Sequence, residues 1–214
     1  MSEQDVVLSE QVAYYRIRAA DYLERHRLIP GFDELARAVT AFGPSGAVLE
    51  LACGPGTWTP MLLRTATTVT AVDAAPEMLD QARRQVGDAR VEFVQADLFS
   101  WRPSHVYDTV FFGFWLSHVP PGRFDSFWRL VDASLAPDGR VFFIDDAWRT
   151  SDEVRGGQET TTIVRRTADG DEHRLVKAPY TSEALQKRLA SLGWLIEVHD
   201  VIDGLFWGSG TRMR

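Results

Sequence analysis

The chain has 214 residues, of which 45% are hydrophobic and 25% are charged, a composition typical of a globular protein. Its formal net charge of −7 disfavours a broad phosphate-binding surface, so nucleic acid is not expected as the substrate. A single cysteine, Cys53, excludes a disulfide within the chain, and an acidic N-terminus without a signal-peptide or membrane-spanning pattern favours a cytoplasmic protein that does not bind a membrane.

Two helices are predicted ahead of the first strand. Apolar residues at helical spacing predict a helix over residues 9–27 with Ser9 as its N-cap, and Pro30 begins a second helix. Tyr14 and Tyr15 lie on the first of these helices. Aromatic residues on a helix face either belong to the core or cover a ligand, and the pattern leaves both roles open.

A strand, a glycine turn and the start of a helix follow in the next segment. Residues 47–52 form an apolar run typical of a buried parallel strand. Gly54 and Gly56 then flank Pro55, where a Cβ atom would keep the backbone away from a ligand over the strand end. This order is that of the first βα unit in nucleotide-binding α/β folds.

The next predicted strand covers residues 68–73 and ends in an acid. Asp73 follows Gly54 by 19 positions, close to the spacing at which a carboxylate on the second strand binds ribose hydroxyls. Thr59 occupies the position of the third glycine in a dinucleotide-binding turn, and Glu50 near the turn would repel a phosphate but attract a cation. S-adenosylmethionine, which carries a sulfonium and an ammonium group but no phosphate, therefore fits better than a dinucleotide.

Three segments together resemble the motifs of class I S-adenosylmethionine-dependent methyltransferases. They are residues 48–57 (VLELACGPGT), 69–79 (VTAVDAAPEML) and 91–98 (VEFVQADL), and the resemblance covers roughly residues 45–150. One departure is Ala52, where the family commonly has glycine. The resemblance implies a doubly wound, Rossmann-like α/β fold. Its seven-stranded sheet would be mostly parallel with an antiparallel C-terminal strand, and N-terminal helices would act as a lid.

The same resemblance implies which residues bind the cofactor, S-adenosylmethionine. The acid of the third segment, Asp97, is expected to face the adenine amino group, and Asp73 the ribose. The complete predicted set is Glu50, Ala52, Gly54, Gly56, Thr57, Trp58, Asp73, Ala74, Met78, Asp97, Leu98 and Phe114.

A fourth strand is predicted over residues 107–112, and the loop that follows it carries His118. In doubly wound sheets a ligand binds beyond the carboxyl ends of the strands, so this loop is expected near the reacting centre. A helix begins at Pro121, and a fifth strand ends at Asp145 and Asp146. We interpret these two acids as residues of a solvated turn and predict no metal site.

The chain is more polar after residue 147. Gly156 and Gly157 predict a flexible connection, followed by two weak strands, a helix capped by Thr181 or Ser182, and a final pair of antiparallel strands. The prediction is a single domain made of an N-terminal helical cap, a cofactor-binding core and a C-terminal segment that completes the sheet and the lid. These parts are residues 1–44, 45–150 and 151–214.

Methyl transfer is a displacement at an activated carbon, so a base is needed only when the acceptor must lose a proton. His118 is the candidate base because imidazole titrates near neutral pH, although it could instead support the loop through hydrogen bonds. Aromatic residues near strand ends or lid segments predict an apolar, flat acceptor pocket. The residues predicted to bind the acceptor are Tyr14, Tyr15, Trp115, His118, Trp148 and Trp207.

The sequence therefore predicts a methyltransferase that acts on oxygen, nitrogen or carbon of a small hydrophobic or aromatic metabolite. A protein that binds S-adenosylmethionine without methyl transfer, as a binding module or a cyclase, is one alternative. A nicotinamide-dependent oxidoreductase is the alternative from another class. The expected assembly is a monomer or a homodimer.

Overall fold

The computed structural model describes residues 2–155 and 160–213, and the predicted connection at Gly156 and Gly157 lies outside them. Helices and strands alternate over most of the chain. In chain order the elements are α1 Glu3–Arg27, α2 Phe32–Phe42, β1 Gly46–Leu51, α3 Thr59–Leu62, β2 Ala66–Asp73, α4 Pro76–Val86, β3 Val91–Gln95, β4 Tyr107–Gly113, α5 Phe124–Ser134, β5 Leu135–Asp146, β6 Thr162–Arg166, β7 Glu172–Val176, α6 Ser182–Ser191, β8 Trp194–Ile202 and β9 Leu205–Arg212.

Within these residues, seven strands form one sheet in the order β3-β2-β1-β4-β5-β9-β8. The first five strands of this order run parallel, and β9 is antiparallel to both of its neighbours. The predicted fold is confirmed. The chain moves outward from β1 to β3 and then returns to β4 on the other side of β1. The carboxyl ends of β1 and β4 therefore form the crevice in which such sheets bind ligands.

The sheet is covered on both faces. Phe111 and Phe112 are adjacent on β4 and fully buried, but they belong to different clusters because successive side chains of a strand point to opposite faces. Phe112 packs with Trp128 of α5 on one face, and Phe111 packs with Trp58 and Phe142 on the other. Burial on both faces fixes the position of the strand ends that carry the candidate site.

A small hairpin of β6 and β7 lies outside the main sheet and packs against α1. Arg174 on β7 donates hydrogen bonds from Nε and Nη2 to the carboxylate of Glu10 on α1, the shortest at 2.6 Å. Arg174 also pairs with Glu3. The prediction that α1 begins after Ser9 was wrong, because the acids at Glu3 and Asp5 suit the first turn of a helix and Glu3 is held by the hairpin.

In the described ranges, no helix combines the length and the apolar character that crossing a membrane requires.

Candidate functional site

A cavity of about 730 Å³ lies beyond the carboxyl ends of β1, β2 and β4, and we call it the strand-end cavity. Eleven of the twelve residues predicted to bind the cofactor line it. The exception is Gly56, whose φ of 79° turns the backbone toward α4, where an added Cβ would come within 3.2 Å of the Cβ of Ala82. The structure thus gathers residues from four separate sequence segments around one space.

The turn after β1 has an unusual backbone. Both Ala52 and Gly54 adopt left-handed conformations, with φ angles of 51° and 54°. Glycine adopts this conformation without strain, whereas a residue with a Cβ loses roughly 1–2 kcal/mol. This left-handed backbone explains why the related motif commonly has glycine at position 52. Ala52 keeps the same turn at some cost in stability.

Asp73 fixes this turn at the end of β2. Its Oδ2 accepts a hydrogen bond from the backbone N–H of Gly54 at 2.9 Å, and its Oδ1 accepts one from the N–H of Ala75 at 2.8 Å. Burial raises the pKa of Asp73, and these two amide hydrogen bonds oppose that effect. Each carboxylate oxygen retains a second lone pair, which suits the two hydroxyls of a ribose.

Glu50 gives the same end of the cavity a site for a cation. Its Oε2 accepts a hydrogen bond from the hydroxyl of Thr59 at 2.6 Å, whereas its buried Oε1 has no partner among the described residues. Burial raises the pKa of Glu50 to about 8. A cationic ligand beside Oε1 would favour the ionised carboxylate, so these residues fit an ammonium group such as that of S-adenosylmethionine.

A second cavity of about 590 Å³ adjoins the first and is bounded by α1, β6 and the segment after β5. Four basic side chains line it, against the two carboxylates of Asp146 and Glu153. We call it the arginine cavity, and its basic residues are Arg18, Arg149, Arg165 and Lys177.

Five residues line both cavities and therefore mark the boundary where two bound molecules would meet. They come from α1 and from the loop after β4, and they are Tyr15, Tyr22, His26, Phe114 and His118. A cofactor in the first cavity and an acceptor in the second would react across this boundary.

His118 is buried at this boundary with both ring nitrogens bonded. Nδ1 lies 2.6 Å from the carbonyl oxygen of Val176, and Nε2 lies 2.8 Å from the hydroxyl of Tyr15. Because a carbonyl only accepts, Nδ1 carries the proton and Nε2 accepts the Tyr15 hydroxyl hydrogen. Burial, with Lys177 and Arg165 nearby, holds the pKa of His118 well below its usual value, so the imidazole is neutral at neutral pH.

A buried polar network lies next to His118. Asp145 accepts hydrogen bonds from the N–H and the hydroxyl of Ser117 at 2.8 and 2.7 Å. Lys177 donates to Ser117 at 3.0 Å and pairs with Asp146 at 2.8 Å. The prediction of a solvated turn was wrong, since Asp145 is fully buried and the side chain of Asp146 is only 14% exposed. Lys177, distant in sequence and directly after β7, supplies the charge that permits this burial.

The residues predicted to bind the acceptor are not all brought together. Tyr14 and Trp148 line the arginine cavity, and Trp115 lines the strand-end cavity. Trp207 lines neither cavity, and its ring packs against Phe142 and His199 with centroids 5.3 and 4.2 Å away.

His26 and all four of the cavity's basic residues, Arg18, Arg149, Arg165 and Lys177, were not predicted from the sequence. The alternation of side chains along these extended segments could have identified two of them. Arg165 and Lys177 lie two positions after the buried residues Ile163 and Leu175, so their side chains lie on the same, inward face.

Comparisons with known proteins agree with this geometry. A family model described as a methyltransferase domain matches residues 48–139. Trans-aconitate 2-methyltransferase of Streptomyces avermitilis is 30% identical over 207 residues, which cover 88% of this chain and 76% of that protein.

Two solved structures are similar to nearly the whole chain. The complex of DhpI with SAH has a TM-score of 0.84 at 36% identity, and the complex of DhpI with SAM and HEP has a TM-score of 0.83 at 35% identity. Each comparison covers 98% of this chain and 98% of the other.

Proposed function

The chain belongs to the class I S-adenosylmethionine-dependent methyltransferases, and we propose that its acceptor is a small oxyacid methylated on an anionic oxygen. S-adenosylmethionine is its cofactor. The assignment of Asp73, Glu50 and the other lining residues to that cofactor is part of this proposal, as is the division of a single domain into cap, core and C-terminal segment.

The observation that carries the proposal is the charge of the arginine cavity. Its four basic side chains outnumber its two carboxylates, and it opens directly onto the boundary residues. A neutral aromatic acceptor would offer no anionic oxygen to the terminal guanidinium donors of Arg165 in this partly enclosed space, which is unfavourable. A carboxylate or a similar oxyacid would accept hydrogen bonds from them.

Arg165 is the best placed of these basic residues. Its side chain is 26% exposed, and among the described residues its only hydrogen-bond partner is Glu153, which accepts from Nε at 2.7 Å. The two terminal nitrogens of the guanidinium therefore keep their donors for another group. Arginine binds carboxylates through paired donors of this kind, which fix orientation as well as charge.

The proposed mechanism requires no general base. When bound, the cofactor supplies a methyl group activated by its sulfonium. A carboxylate acceptor is ionised at neutral pH, since carboxyl groups of this kind have pKa values of about 4, and its lone pair is already available. The chain's own residues then orient the oxygen toward the boundary, and Tyr15, Tyr22 and Phe114 exclude water from it.

The name of the Streptomyces relative, a methyltransferase of trans-aconitate, also favours a carboxylate acceptor. The hydrophobic or aromatic acceptor predicted from the sequence stays a prediction, and so do the cytoplasmic location and the monomeric or dimeric state.

Release of S-adenosylhomocysteine with matched acceptors tests the proposal. We expect turnover with trans-aconitate or related di- and tricarboxylates, and none with the trimethyl ester of trans-aconitate, which has a similar shape without the charge. Catechol, a neutral phenol, represents the hydrophobic alternative. Turnover of catechol together with failure of every acid would contradict the proposal.

Tyr15→Phe and His118→Ala are each expected to lower turnover on an acid acceptor by about tenfold, the effect of one buried hydrogen bond. The loss should be the same from roughly pH 6 to pH 9, because His118 stays neutral and the acceptor stays ionised throughout this range. The measurement is a pH profile of kcat for each variant. A loss that disappears as the pH approaches 10 would instead indicate that His118 acts as a base.

A further inference from the structure

Besides Glu50, three polar residues at the glycine-turn end of the strand-end cavity have buried side-chain nitrogen or oxygen atoms without a hydrogen-bond partner among the described residues. The unpartnered atoms are the two ring nitrogens of His26, the hydroxyl oxygen of Thr57 and the indole nitrogen of Trp58. All three residues line the strand-end cavity. Leaving such groups unpaired costs about 1–3 kcal/mol each, so their presence together points to a polar ligand group at this end.

His26 is the only one of the three that also lines the arginine cavity. It lies in the last turn of α1 with 7% of its surface exposed. Its ring stacks on Tyr22 with centroids 5.1 Å apart and meets the edge of Phe114 at 4.4 Å. Two aromatic rings therefore hold the imidazole in place at the boundary of the two cavities.

Both arginines that line the strand-end cavity are already paired with an acid. Arg16 forms an ion pair with Glu77 of α4 at 2.7 Å. Arg123 pairs with Asp5 at 2.6 Å and lies 4.9 Å from the ring centre of Phe99, beyond β3. Both guanidinium groups are therefore engaged by carboxylates of the chain itself.

The cofactor brings an anion to the glycine-turn end. If Asp73 binds the ribose and Glu50 the ammonium group, the α-carboxylate of the methionine part lies near the turn after β1. We propose that the imidazole N–H of His26 donates a hydrogen bond to this carboxylate. The inference concerns the cofactor, so it does not depend on which acceptor is methylated.

The charge state of His26 agrees with this role. Burial lowers its pKa to about 4, so the ring is neutral at neutral pH and presents one N–H donor and one lone pair. A neutral donor binds a carboxylate without placing a permanent charge beside the sulfonium.

Calorimetry with two ligands tests the proposal. His26→Phe keeps a ring against Tyr22 and Phe114 but removes the donor. We expect it to weaken binding of S-adenosylhomocysteine by about 10- to 100-fold, as for a hydrogen bond to a charged group. Binding of 5′-methylthioadenosine, which lacks the amino-acid part, should change less than about twofold.

Three further variants complete the experiment. His26→Gln and His26→Asn supply a neutral N–H, and at least one of them should recover most of the affinity. His105→Phe makes the same substitution before β4, at the opposite end of that strand, and should change neither affinity.

Equal weakening of both ligands by His26→Phe would overturn the proposal, because it would show that the ring only supports the shape of the cavity. Unchanged binding of S-adenosylhomocysteine would overturn it too, whatever happens to the acceptor. Because both ligands are compared on one variant, a general loss of folding cannot produce the expected difference.

Discussion

Asp73→Ala is expected to weaken binding of S-adenosylhomocysteine by about 100-fold. The carboxylate is assigned to the ribose hydroxyls, and hydrogen bonds to a charged group contribute about 1.5–3 kcal/mol. The substitution also removes the two hydrogen bonds from the backbone N–H groups of Gly54 and Ala75, so the turn itself loses its anchor. Calorimetry of the folded variant measures this effect directly.

The control for Asp73 is another acid on the helix that follows it. Asp80 lies on α4 with a 60% exposed side chain and pairs only with Arg83 among the described residues. Asp80→Ala should bind S-adenosylhomocysteine as the wild type does. Equal affinity in the wild type and in folded Asp73→Ala would refute the ribose assignment.

Arg165→Met is expected to lower kcat/KM for an acid acceptor by about 100- to 1000-fold. The variant removes the donors assigned to the anionic group and leaves the carboxylate of Glu153 beside it, so repulsion adds to the lost attraction. Methionine keeps much of the apolar stem, which limits the loss of packing. The affinity for S-adenosylhomocysteine should change less than about twofold.

The adjacent arginine gives a matched control. Arg166 follows Arg165 on β6, but its side chain is 67% exposed and pairs with Glu172 on the outside of the hairpin. Arg166→Met should leave kcat/KM nearly unchanged. An equal loss in both variants, or no loss in either, would show that the arginine cavity does not bind the acceptor.

The gathering of the expected cofactor-binding residues around the strand-end cavity could be predicted from the sequence because they follow a local order. A strand, a turn and a second strand fix the distance between Gly54 and Asp73, and the parallel sheet then places both at one edge. The bounds of α4, Pro76–Val86, are marked by equally local signals, a proline at its start and Gly87 after its end.

The arginine cavity depends on contacts between segments far apart in sequence, so its lining was harder to predict. The hydroxyl of Tyr15 meets His118 across 103 positions, and Lys177 reaches Ser117 across 60. Hydrophobic periodicity predicts elements but not the packing of a hairpin against α1. The prediction of an apolar pocket relied on the abundance of aromatic residues, and it did not use the charges of Arg165 on β6 and Lys177 after β7.

The burial of Asp145 could not be read from its position at a strand end for the same reason. Its environment is decided by Ser117, on the loop after β4, and by Lys177, which follows β7. Two adjacent acids at a strand end are usually solvated, and only the partners reveal an exception.

The most direct measurement is the position of a labelled methyl group after reaction. The protein would be incubated with S-adenosylmethionine carrying ¹³C in its methyl group, a set of di- and tricarboxylates and catechol, and the products analysed by NMR. We expect the label on a carboxylate oxygen, as a methyl ester, with one S-adenosylhomocysteine released for each ester. Label on the phenolic oxygen of catechol, or on nitrogen or carbon, with every acid left unmethylated would contradict it.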